Sequence, residues 1–154
     1  YQVHDPERYG VIEINNEKVI SIEEKPKKPK SPYVVTGLYF YDNTVIDIAK
    51  KIKPSNRNEL EITDINKIYL QEKNIDVTIL KQGMVWLDVG TTTSMLQAAQ
   101  FVQTIQERQQ IQIGCPEEIS LNKGWISKNQ LNDLISSLPI NSYGDYIKKI
   151  INNK

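Results

Sequence analysis

The sequence has few of the residues that form cross-links or metal cages. Its 154 residues include one cysteine, Cys115, and one histidine, His4. A single cysteine excludes an internal disulfide, and without companion Cys or His ligands it does not predict a zinc site. We therefore expect a reduced, partly buried thiol and a cytoplasmic location.

The sequence also lacks an excess of charge of either sign and lacks long apolar runs. Lys plus Arg and Asp plus Glu number 19 each, so the formal net charge is zero. The only dense basic run, "KPKKPK" at 25–30, is too short for a nucleic-acid surface. No apolar run approaches the roughly 20 residues of a membrane span, and no secretory signal opens the chain. Neither nucleic acid nor membrane is an expected partner.

Strand patterns dominate the first 90 residues. The alternation on either side of Asn15–Asn16 predicts a β-hairpin. The run "YVVTGLYFYD" at 33–42 predicts a central strand, and 75–90 predicts two strands joined by a turn at Gln82–Gly83. Between them, helices are predicted at 43–53 and at 63–74, the second with Thr63 as its N-cap.

Helical patterns take over from Thr93. A long amphipathic helix is predicted to about Gln109, with an apolar face of Met95, Leu96, Ala99, Val102 and Ile105. Three short helices follow: one after Pro116, one capped by Ser127 with Leu131, Leu134, Ile135 and Leu138 inside, and one at 142–153. Strands followed by helices favour the second half of an α/β enzyme with a helical extension.

Asp88 is the strongest single candidate for a functional residue. It follows the apolar run 84–87 and precedes a helix start, a place where open α/β sheets bind ligands. It is either a cap that accepts N–H bonds from the Thr91–Ser94 helix start or a ligand for Mg²⁺, which binds carboxylates together with substrate phosphates. The spacing leaves both interpretations open.

Two further stretches allow a functional and a plain structural interpretation. Gly10, after Tyr9, either lets the backbone approach a ligand or is a turn glycine. Glu24 and Lys25 either bind sugar hydroxyls and a phosphate or form a solvated hairpin end. The charged run 57–64 is weak evidence by itself, because charge-rich helix starts are usually exposed.

In their order along the chain, these segments resemble the C-terminal half of bacterial glucose-1-phosphate thymidylyltransferases, which are sugar nucleotidyltransferases. The resemblance covers nearly the whole chain, and "CPEEI" with "KGWI" narrows it to the thymidylyl type. The matching segments are "DPERYGV", "EEKPKKPKS", "TGLYFYD", "KPSNRNELEITDIN", "WLDVGTTTSM", "FVQTIQERQ", "CPEEI" and "KGWI".

The resemblance implies an α/β fold, the C-terminal part of a mixed-sheet nucleotide-diphospho-sugar transferase. Residues 1–92 would form the sugar-phosphate-binding part, and residues 93–154 a helical C-terminal extension. The implied reaction joins dTTP and glucose 1-phosphate into dTDP-glucose with release of pyrophosphate, with Mg²⁺ as cofactor. The implied substrate-binding residues are Tyr9, Gly10, Glu24, Lys25, Val35, Tyr39 and Trp86; Lys25 and Asp88 are the implied catalytic residues, and Asp88 the metal ligand.

The resemblance also implies a weak regulatory nucleotide site at Gly83, Glu118 and Ile119, where Gln82 and Asn122 replace the usual basic residues. The family's glycine-rich nucleotide loop and its other metal-binding aspartate are absent from the sequence. The chain also begins at Tyr1 rather than at methionine, so we expect a fragment that is inactive alone, from a parent that is a homo-oligomer, tetrameric in this family. The implied pathway is dTDP-rhamnose and polysaccharide biosynthesis.

Two alternatives stay open. The transferred nucleotide could be uridylyl or cytidylyl, because the base would be recognised mostly by the absent half. The chain could instead be a non-catalytic module that mediates oligomer assembly through its helices.

Overall fold

The computed structural model describes residues 1–135 and 141–153, and the chain divides into two compact units, Tyr1–Trp86 and Leu87–Lys154. This boundary precedes the one that the sequence predicted after residue 92. In the described residues, the first unit contains a short 3-10 helix (Pro6–Arg8), a β-hairpin and two α-helices, and the second contains four α-helices. None of the helices in the described ranges combines the length and the hydrophobicity that a membrane span requires.

The predicted hairpin is confirmed. Strands β1 (Gly10–Asn15) and β2 (Lys18–Glu24) pair antiparallel, with Gly10 opposite Glu24. Asn16 and Glu17 connect them with φ values of 48° and 64°, the left-handed conformation that a two-residue hairpin turn needs. The register shifts between Glu13 and Ile14, and this bulge leaves Ile20 largely exposed.

A short extended segment, Tyr33–Val35, lies beside β1. Ile12 N donates to Tyr33 O at 3.0 Å, and Val35 N donates to Gly10 O at 2.9 Å. On its other side, Val34 N donates to Tyr1 O at 2.8 Å. These bonds bury Val34 and fix Val35 next to Gly10.

The predicted central strand at 33–42 is wrong beyond this segment, and so are the strands at 75–90. In the described residues the sheet has two strands, so the expected mixed sheet is not confirmed. Phe40 is 90% exposed, although its segment has a strand-like composition. The reason is that a strand forms only where neighbouring backbone pairs with it. The turn predicted at Gln82–Gly83 is present, with Gly83 at φ 93°.

Two helices pack in the first unit, α1 (Val45–Ala49) and α2 (Ile62–Gln71). Their core consists of Ile48, Ile65 and Tyr69. The helix predicted at 43–53 is therefore shorter than expected. The prediction of Thr63 as N-cap is wrong, because Glu61 occupies the extended N-cap position and Thr63 lies buried inside α2.

The second unit contains α3 (Thr92–Gln109), α4 (Pro116–Asn122), α5 (Lys128–Ile135) and α6 (Ser142–Asn153). The last three helices pack around Cys115, Leu131 and Ile147, so the buried thiol is confirmed. The predicted apolar face of α3 is only partly covered: no residue of α3 is buried, and Val102 and Ile105 are half-buried. Leu138, predicted inside α5, lies outside the described residues.

Leu131→Ala should lower the free energy of unfolding by about 2–5 kcal/mol, because it leaves a cavity in the core of the second unit. Leu131 is 0% exposed, whereas Leu134 on the same helix is 47% exposed. The matched control Leu134→Ala should therefore change stability by only about 0.5 kcal/mol. Urea unfolding followed by circular dichroism measures both, and equal losses would contradict this core.

Candidate functional site

Glu24, at the end of β2, lies close to Gly10, Val35 and Thr63. Thr63 Oγ1 donates to Glu24 Oε2 at 2.5 Å. A Cβ added to Gly10 would lie 3.3 Å from Glu24 Oε2, 3.4 Å from Thr63 Oγ1 and 4.0 Å from Val35 Cβ. A side chain at position 10 would therefore press on Glu24 and Thr63, and glycine lets both residues lie close to the backbone. The structure thus brings together three predicted site residues, Gly10, Glu24 and Val35.

Tyr39 belongs to the same region. Burial raises its pKa, and the negative charge of Glu24 raises it further. The ring of Tyr39 stacks on Tyr41 with centroids 5.8 Å apart and an interplanar angle of 17°.

Tyr41 and Tyr69 continue this aromatic stack into α2. Their ring centroids are 5.5 Å apart, and Tyr41 donates its hydroxyl to Asn66 Oδ1 at 2.6 Å. Tyr69 donates to Asp42 Oδ1 at 2.8 Å. Burial raises the pKa of Tyr41 to about 12, and Tyr39 and Tyr69 add to the shift. The stack therefore joins Tyr39 to the core of the first unit.

Tyr9, Lys25 and Trp86 form a second group of predicted site residues. The ring of Tyr9 meets Trp86 edge-on, with centroids 5.1 Å apart and planes at 74°. Lys25 N donates to Tyr9 O at 3.0 Å, and Lys25 has a φ of 42°. This left-handed conformation is uncommon for a residue other than glycine, and such residues concentrate at functional sites. The Lys25 side chain is exposed.

The sequence did not single out Arg57, Glu61 or Thr63 as site residues. Glu61 is buried and accepts from Ser55 Oγ at 2.8 Å and from Arg57 Nε at 3.1 Å. Desolvation opposes the shift, but Glu59, Glu61 and then Glu24 raise the pKa of Arg57. The run 57–64 looked like an exposed helix start. The pattern that could have indicated the ion pairs of Arg57 is the presence of acids two and four residues after it, at Glu59 and Glu61.

Asp88 lies in the second unit, shortly before α3. The sequence left open whether Asp88 caps this helix. Thr91 is the N-cap of α3 and forms a reciprocal capping box with Ser94: Ser94 N donates to Thr91 Oγ1 at 3.1 Å, and Thr91 N to Ser94 Oγ at 3.0 Å. The N-cap position is therefore not that of Asp88. The Asp88 carboxylate lies over Gly90, where a Cβ would be 3.2 Å from Oδ2.

One carboxylate at this place fits a Mg²⁺ ion that takes its other ligands from substrate phosphates and water. It does not fit a cage made by the protein alone: the described residues contain no group of three or more His, Cys, Asp or Glu that could hold a metal. Magnesium at Asp88 therefore stays a prediction.

The three predicted regulatory residues are divided between the two units. Gly83 lies in the turn of the first unit, and Glu118 and Ile119 lie on α4 of the second. Glu118 Oε2 already accepts a hydrogen bond from the Tyr146 hydroxyl at 2.7 Å. Ile119 is largely exposed.

Comparisons with family models, with curated proteins and with solved structures all point to nucleotidyl transferases. Residues 1–105 match the family described as "Nucleotidyl transferase". A glucose-1-phosphate thymidylyltransferase of Neisseria meningitidis is 49% identical over 152 residues, which cover 98% of this chain and 53% of the relative. That of Xanthomonas campestris is 52% identical over 148 residues, covering 96% and 50%.

A solved structure is also similar, that of a putative glucose-1-phosphate thymidylyltransferase from Bacillus anthracis in complex with a sucrose. It is 49% identical with a TM-score of 0.58, covering 65% of this chain and 40% of that one. The chain spans about half the length of the curated relatives it matches. These matches do not confirm the placement of the chain as a C-terminal half.

Tyr41→Phe should lower the free energy of unfolding by about 1–3 kcal/mol near neutral pH, because Asn66 loses its partner in a buried place. The pKa of Tyr41 is raised to about 12, so the folded protein keeps a proton that the unfolded chain loses near pH 10. Stability therefore falls as the pH rises through this window, and Phe removes that part of the fall. Urea unfolding at about pH 8 and about pH 11.5 measures this, and the difference in midpoint between the wild type and Tyr41→Phe should be smaller at the higher pH. An equal difference in midpoint at both pH values would contradict the raised pKa of Tyr41.

Proposed function

Because the chain belongs to the nucleotidyl transferase family, we propose that it supplies the sugar-phosphate side of an enzyme that makes dTDP-glucose and pyrophosphate from dTTP and glucose 1-phosphate. The observation that carries this proposal is the meeting of Gly10, Glu24 and Val35 at one point, with the charge of Glu24 acting on Tyr39. Gly10, Glu24 and Val35 lie on three different segments of the chain. The resemblance assigned all of them to the same pocket.

The residues suit the recognition of a sugar. Glu24 accepts hydrogen bonds from hydroxyl groups, and such bonds to a charged acceptor are stronger than neutral ones. Gly10 has no Cβ, so a sugar ring can approach its backbone closely. The edge-on pair of Tyr9 and Trp86 offers a rigid aromatic wall. Together, these residues would hold the sugar in one orientation for the reaction.

The residues at the phosphate end suit a reaction controlled by position and charge. Lys25 would hold the sugar phosphate as a point charge, and its backbone bond to Tyr9 fixes its place beside the aromatic wall. The phosphate oxygen would then attack the α-phosphorus of the nucleotide in line.

Asp88 would hold Mg²⁺ together with the phosphates of the nucleotide. The ion would neutralise the charge that develops on the transferred group. The capping box of Thr91 and Ser94 supports this role, because Thr91 rather than Asp88 is the N-cap of α3, and the cap was the alternative interpretation of Asp88.

A regulatory nucleotide would bind weakly at Glu118 and Ile119 on α4 of the second unit. Gln82 and Asn122 supply no positive charge for a triphosphate, and the hydrogen bond from Tyr146 engages Glu118. We therefore propose that end-product inhibition through these residues is weak in this protein.

A hybrid enzyme tests the reaction. In it, this chain replaces the matched segment of the Neisseria meningitidis relative. With glucose 1-phosphate, the hybrid should release pyrophosphate fastest with dTTP. A faster release with UTP or CTP would reject thymidylyl transfer, and no release with any of the three would favour the assembly module.

Asp88→Asn in the hybrid should reduce Mg²⁺-dependent turnover by about 100-fold or more, because the neutral amide is a poor ligand for the ion. The matched control is Asp47→Asn on α1, where the side chain is 74% exposed and paired with Lys50. It should leave turnover within about twofold. Titration of the rate with Mg²⁺ measures both variants, and a wild-type rate for Asp88→Asn would exclude Asp88 as the ligand.

A further inference from the structure

The first turn of α2 carries a buried hydroxyl, that of Thr63. Thr63 is 3% exposed, and it lies against Glu24 and Gly10. A buried hydroxyl is costly unless it forms a hydrogen bond. The bond that Thr63 forms goes to Glu24, on a different element and 39 residues away.

This bond restricts the carboxylate that we propose for sugar recognition. A glutamate side chain has three rotatable bonds, and an unanchored one loses considerable entropy when it orders on a ligand. Thr63 Oγ1 donates to Glu24 Oε2 at 2.5 Å, and both atoms lie close to the backbone of Gly10. Within residues 1–135 and 141–153, Glu24 Oε1 has no hydrogen bond. One oxygen is thus anchored, and the other is available to a hydroxyl donor.

We propose that Thr63 is a positioning residue that fixes Glu24 as an acceptor before the sugar arrives. The inference rests on the proposed function, since it assumes that Glu24 accepts from a sugar hydroxyl. Thr63 acts through Glu24, so its hydroxyl does not need to touch the substrate. Preorganisation of this kind lowers the cost of binding.

The consequence for kinetics is specific. A disordered acceptor weakens the binding of the sugar phosphate in the ground state and in the transition state alike. Thr63→Val in the hybrid enzyme should therefore raise KM for glucose 1-phosphate about 5- to 30-fold, with kcat within about twofold. Thr63→Ser keeps the hydroxyl and should restore KM to within about threefold of the wild type.

A double-mutant cycle separates positioning from a general loss of stability. In a Glu24→Ala background there is no carboxylate to hold, so Thr63→Val should change KM by less than about twofold. The matched control is Thr44→Val, which removes a hydroxyl that bonds to Asp42 and Tyr69. Its effect should be the same with and without Glu24. Full additivity of Thr63→Val and Glu24→Ala would overturn the proposal.

The position of Glu24 can also be measured without catalysis. A crystal structure of the Thr63→Val variant of this 154-residue chain should show the Glu24 carboxylate displaced or in several conformers. An unmoved carboxylate would overturn the positioning role, whatever the hybrid does. If the wild-type hybrid makes no nucleotide sugar, the proposed function fails, and a displaced carboxylate in the variant still supports the anchoring of Glu24 by Thr63.

Discussion

The register of the β1–β2 hairpin is the constraint on which the candidate site depends. Side chains alternate between the two faces of a strand, so a slip of one residue would turn Glu24 to the opposite face. The left-handed turn at Asn16 and Glu17 and the bulge at Glu13 and Ile14 set the register. As a result, the acid at the end of β2 lies opposite the glycine at the start of β1.

The helix α2 supplies the hydrogen-bond partners of the residues at the candidate site. Its two buried polar side chains, Thr63 and Asn66, lie one turn apart and therefore on the same face. Thr63 bonds to Glu24, and Asn66 accepts from Tyr41, whose ring stacks on Tyr39. Each buried polar group is satisfied by a residue at or beside the candidate pocket. Satisfied networks of this kind favour one arrangement, because any other arrangement leaves a polar group unpaired.

Local patterns explain which elements the sequence predicted correctly. The hairpin and the helices from α3 to α6 depend on turn residues, caps and periodicity within a short stretch, and they are present. The strands at 33–42 and 75–90 depend on partners elsewhere in a sheet. Their composition favoured a strand, but most of these backbone groups find no ladder partner in the described residues. Phe40 and Leu38 therefore remain exposed.

The sequence by itself determined the family resemblance, the hairpin, the helical second unit and the residue types of a sugar and phosphate site. It also left Asp88 equally suited to a cap and to a metal ligand, since spacing does not distinguish them. Only the tertiary structure gave the N-cap of α3 to Thr91 and that of α2 to Glu61, with Thr63 buried in the first turn of α2. The physical reason is that a hydrogen bond between residues 39 apart depends on how elements pack, and no local pattern records that distance.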